Sequence, residues 1–140
     1  MKITLPLSIV IPRKTKEDKV FALNLNVYRN AHHFVMNTAK TMWLDIVLHA
    51  HIEGGEVEPP YKFTYTVYPE NKRKFDLGNV CPAIQKFTDD ALIELGIISD
   101  DNYKVIPLIE YRFGGIDKDN PRCELEITTD KTLCNVRTLP

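Results

Sequence analysis

Asp76 follows Lys72, Arg73 and Lys74 almost directly, and Asp100 and Asp101 close the next apolar stretch in a turn-like "SDD". Carboxylates so placed suit a hard divalent cation. Magnesium takes a few carboxylate oxygens and keeps several waters; beside a phosphodiester it neutralises charge and lowers the pKa of an attacking water. Magnesium is therefore the expected cofactor, with manganese as a substitute, and Asp76, Asp100 and Asp101 are the expected ligands if neighbouring strands bring them together. Lys86, between them, is a candidate point cation for a phosphate or for developing negative charge. A competing account needs no chemistry at all: Asp and Asn populate turns for backbone reasons, and a basic cluster is commonly a solvated loop.

The elements that must position these residues follow from periodicity. Ile3, Leu5, Leu7 and Ile9 alternate with other residues and predict a first strand ending near Pro12. The polar segment from Arg13 to Asn30 predicts a long loop with a short extended piece around Val20 to Leu23. From Ala31 to His51, apolar residues recur at helical spacing, and Gly54 and Gly55 end that helix. Tyr61, Phe63, Tyr65 and Val67 alternate with Lys62, Thr64 and Thr66, a half-buried strand running to Pro69. A second helix is expected from about Pro82, well placed in a first turn, to Leu95, with Gly96 as its stop. Lys104 to Phe113 and Cys123 to Thr128 read as strands joined by "GGIDKDNP", a long hairpin loop. The expected fold is α+β, a mixed sheet with two main helices on one face, and residues 1–140 form a single domain.

With 140 residues, 44% of them hydrophobic, the chain can bury a sizeable core. No apolar run reaches the ~18 residues of a membrane span, and the start reads as a strand, not a signal peptide, so the cytoplasm is the expected location. The three cysteines, Cys81, Cys123 and Cys134, lack CxxC spacing and predict idle thiols. No third ligand accompanies His32 with His33 or His49 with His51, so no transition-metal site is expected. A net charge of −1 confines any nucleic-acid footprint to local patches, around Lys14 and around Lys72 to Lys74.

"RKFDLGN", then Lys86 four residues before "DAL", then "GIISDD", resembles the RusA family of Holliday junction resolvases. "LNLNVYRNAHHF" resembles that family's N-terminal segment, and the stretch from Gly114 to Thr128 its closing glycine-rich hairpin and last strand. The resemblance spans nearly the whole chain up to Thr128. It implies a small homodimeric, magnesium-dependent endodeoxyribonuclease of phage or prophage type that nicks four-way DNA junctions in pairs.

Position by position, the resemblance gives Asp76, Asp101 and Lys86 catalytic roles, with Asp100 a neighbouring ligand. It makes Asn79 and Arg29 DNA contacts beside Lys14, Lys72, Arg73 and Lys74. Lys86 matches only if about one helical turn is inserted after Asn79. Where the family has a second aspartate this chain has Gly78, which offers no side-chain ligand. Three explanations compete: water or a backbone carbonyl fills the position; Asp100 or Asp89 substitutes; or the protein binds branched DNA and cuts it poorly. A protein-interaction module in which the acids merely cap turns is the remaining alternative.

Overall fold

The computed structural model describes residues 1–130; Cys134 and the tail lie outside them. The first expected strand is two strands. Pro6 has no N–H to continue a ladder, so β1 (Lys2–Leu5) ends there and β2 (Ser8–Ile11) leaves for a separate antiparallel pair with β3 (Lys19–Ala22). The polar loop that follows contains a short helix, α1 (Leu25–Asn30), started by Asn24, whose Oδ1 accepts from Val27 N–H at 2.8 Å. Because α1 buries no residue completely, it left no apolar period to detect.

Helix α2 (His33–Leu48) buries Ala39, Trp43 and Val47, and a two-residue strand, β4 (Ile52–Glu53), follows it. Strand β5 (Tyr61–Tyr68) matches its alternation: Tyr61, Phe63, Tyr65 and Val67 are buried and the residues between are partly exposed. Helix α3 (Leu77–Glu94) starts five residues before Pro82, which lies inside it. Its start is fixed by the Asp76 carbonyl, which accepts from the N–H groups of Asn79 (3.0 Å) and Val80 (3.2 Å). It ends at Gly96, whose φ of +74° few other residues would adopt.

Strand β6 (Leu108–Phe113) begins later than its sequence suggests, because the Asn102 carbonyl draws the N–H groups of Val105 and Ile106 into a turn. Strand β7 (Arg122–Thr129) closes the sheet, whose order is β4-β1-β7-β5-β6. Strands β6 and β7 therefore do not form a hairpin. β6 runs parallel to β5 on one side and β7 antiparallel to it on the other, so "GGIDKDNP" crosses over β5. At the start of this crossing Gly114 presses so closely on Tyr68 that a Cβ would lie 2.5 Å from its ring. Its far end is held by Arg122, bonded to Asp117 (2.8 Å) and Glu124 (3.0 Å).

The fold is α+β, with α2 and α3 packed on a mixed five-stranded sheet. Helix α3 carries the core. Phe87 meets Phe21 and Tyr28 edge-on, and Thr88 accepts a hydrogen bond from the Trp43 indole at 3.2 Å. No helix among the described residues is long and apolar enough to cross a membrane.

Candidate nucleic-acid interface

Asp76 is the residue before the first turn of α3, and its exposed carboxylate makes no capping hydrogen bond. The helix therefore presents unpaired amide groups and the positive end of its dipole beside a free acid. Lys72, Arg73 and Lys74 are exposed in the preceding loop, where Asn71 Oδ1 accepts from Arg73 N–H at 2.9 Å. These four residues line one cleft of about 390 Å³, walled by Phe75, Leu77, Phe113 and Ile116. Three cations around a helix amino end suit a phosphate chain on an apolar bed.

Gly78 sits one step into the first turn, with nothing within 4 Å of where a Cβ would stand. The position expected to carry an acid is thus open, not crowded. Asn79 faces inward, and its Oδ1 accepts from Leu25 N–H at 3.1 Å, bolting α1 to α3. That contact gives Asn79 a structural task beside the cleft.

The other predicted acids lie beyond the opposite end of α3. The helix has 18 residues, about 27 Å at 1.5 Å per residue. Neighbouring strands were expected to unite Asp76 with Asp100 and Asp101. β5 and β6 are neighbours, but they are parallel, so the crossover places Asp76 where β5 ends and Asp101 ahead of where β6 begins. In one chain the acids do not meet. Among the described residues no three His, Cys, Asp or Glu side chains are grouped to hold a metal ion.

At the carboxyl end each acid has its own surroundings. Asp100 is engaged by the turn, its Oδ1 accepting from Asp101 N–H (2.7 Å) and its Oδ2 from the Asn102 amide (2.8 Å). The backbone bond from Asp101 is the main reason its carboxyl lies below the ordinary range. Asp101 itself is exposed. Asp89 is the residue sequence reasoning passed over as a main participant. It is buried, and its Oδ1 has no hydrogen-bond partner. Burial foremost, then the charge of Asp101, pushes its carboxyl up to about 7, against a smaller opposing pull from a Gln85 hydrogen bond. The only signal in the sequence is that Asp89 follows Gln85 by one helical turn, on the flank of the apolar stripe.

Lys86 joins this second group. It is exposed on α3, its ammonium is 5.6 Å from the centroid of the Tyr28 ring, and its charge pulls against the raised Asp89 carboxyl. Ten residues, about 15 Å of helix, separate it from Asp76. Arg29, in the last turn of α1, and Lys14, in the loop between β2 and β3, are exposed and do not line the cleft. No family model and no curated protein matches the chain. A larger hollow of about 470 Å³ opens at the carboxyl end of α3, between Glu56, Glu58, Tyr61 and Ile98.

Proposed function

We propose that this chain is a structure-selective endodeoxyribonuclease of the RusA type, acting on four-way DNA junctions as a homodimer with magnesium. The observation that carries the proposal is the cleft in which Lys72, Arg73 and Lys74 surround Asp76 at the amino end of α3. The order of motifs along the chain supports it. The chain's own residues would grip the phosphodiester backbone there by charge and helix amides, which positions DNA without reading bases.

Since Asp76 and Asp101 are separated by the length of α3, any ion they share must lie between two copies, with Asp76 from one and the partner's Asp101 from the other. Two copies related by a two-fold axis hold two such places, as paired nicks in a symmetric junction require.

Asp76→Asn and Asp101→Asn should each be inactive on a mobile four-way junction with magnesium. An equimolar mixture, refolded together, should recover about a quarter of wild-type nicking, because half the dimers are mixed and each holds one intact place of two. Recovery of nothing, with both variants folded, would remove the shared ion. A wild-type protein that shifts junction DNA but leaves it uncut, with manganese as with magnesium, would favour the second reading. In that reading the chain is a weakened relative that binds branched DNA, and Gly78 is its motive.

A further inference from the structure

The five-stranded sheet has two edges of different character. β4 is two residues long, whereas β6 presents six, Leu108 to Phe113, and among the described residues pairs on one side only. Gly114 N–H donates to Val67 O on β5 at 2.8 Å. Since backbone groups alternate in direction along a strand, Leu108, Glu110 and Arg112 turn theirs toward β5, and Ile109, Tyr111 and Phe113 turn theirs outward. Soluble proteins ordinarily blunt such an edge with proline, lysine or a bulge. Within "LIEYRF" there is none of these, its two charges, Glu110 and Arg112, are of opposite sign, and Leu108 and Phe113 at its ends are exposed hydrophobics.

The charges on this strand select the occupant. Glu110 and Arg112 flank Tyr111 and point to the sheet face away from the helices, where Glu110 meets Lys62 (3.3 Å) and Arg112 (2.9 Å). If a second β6 runs antiparallel with Tyr111 opposite its own counterpart, Glu110 of each copy lies opposite Arg112 of the other. These fall in the closely spaced non-hydrogen-bonded positions, at about 4.5 Å between Cα atoms, where side chains interact best. Ile109 then lies opposite Phe113. Centring the pair on Ile109 or on Phe113 breaks both charge matches.

We propose that two copies of this chain join along β6, antiparallel about Tyr111, into one sheet continuous across both. The outward backbone groups of Ile109, Tyr111 and Phe113 supply the ladder, and Glu110 with Arg112 sets the register. The interface is isologous, so it closes at two copies and leaves only the two-residue β4 strands as edges of the joined sheet. The same arrangement lays the Phe113 end of β6, which walls the Asp76 cleft, beside the start of the partner strand. The pairing stands whether or not the chain cuts DNA.

Sedimentation or light scattering on the full chain tests it, with far-ultraviolet dichroism to confirm folding. Wild type should be dimeric. Glu110→Arg and Arg112→Glu should each be monomeric at the same concentration, because each faces like charge with like. The double variant Glu110→Arg/Arg112→Glu should be dimeric again, and so should an equimolar mixture of the two single variants. Tyr111→Cys should give a disulfide-linked dimer on oxidation that the parent protein does not, its two Cα atoms standing at about 5.5 Å. A monomeric wild type, single variants that stay dimeric, or a Tyr111→Cys protein that does not cross-link would overturn the proposal. Nicking is not the readout, so failure here is separate from failure of the nuclease reading.

Discussion

The two ends of α3 carry the same side chain in opposite circumstances. At the amino end Asp76 stands in solvent beside three cations, with helix amides at hand and no hydrogen bond of its own. At the carboxyl end Asp89 is buried with an unpartnered oxygen, Asp100 is consumed by a turn, and Asp101 faces water. An acid left in solvent beside cations takes no part in the core and is open to a ligand. One that is buried beside another acid holds its proton far above the ordinary range. Clustering of aspartates is thus a poor guide to chemistry; what surrounds each one decides.

The contrast is broken most severely at Asp76. Asp76→Asn should lower junction nicking by about a thousandfold or more, since it takes a charged ligand from the proposed ion, while junction affinity in a gel shift stays equal or rises. Loss of affinity instead would make Asp76 a contact for the fold or the DNA.

Asp89 gives the next largest effect, and its sign follows from linkage. Its carboxyl is raised to about 7 in the folded state from an ordinary 3.8, so the native state binds more protons between these values and stability falls as pH rises through them. Asp89→Asn, which keeps the shape without the charge, should relieve this by about 2–4 kcal/mol at pH 8 and by little at pH 4. Urea unfolding at the two pH values checks it, and an equal change at both would refute the buried charge.

Smaller effects sharpen the amino end. Arg73→Ala should weaken junction binding about tenfold and reduce the salt slope of log affinity by about one, the mark of one lost phosphate contact. A change in affinity with an unchanged slope would remove Arg73 from the phosphate path. Gly78→Asp should stabilise the chain by about 0.5–1 kcal/mol, through better helix propensity and an acid in the first turn, because nothing stands within 4 Å of the new Cβ. The same variant should raise nicking if the position is a vacant ligand site, measured against wild type in magnesium.

What the sequence revealed depended on whether one face of an element meets the core. β5 could be read residue by residue because its alternate side chains are buried, and the end of α3 because Gly96 takes a positive φ. The start of α3 was misjudged since Pro82 resembles a first-turn proline, while the helix begins where the Asp76 carbonyl finds donors. α1 was missed because it buries no side chain fully. Strand order and direction are not local properties: nothing in Leu108 to Phe113 says that it runs parallel to β5. That single non-local fact separates Asp76 from Asp101. The cation cluster and Asp76 could be read as neighbours because they are contiguous in sequence. The burial of Asp89 depends on how α3 seats on the sheet, which no spacing within the helix records.

The chain's one tryptophan lies where two helices meet, fully enclosed, with its indole N–H bonded to a hydroxyl on α3. Its fluorescence is therefore a built-in gauge of whether α2 is seated. Emission shifting to the red, before backbone dichroism is lost, would mark the moment at which α2 lifts away from α3.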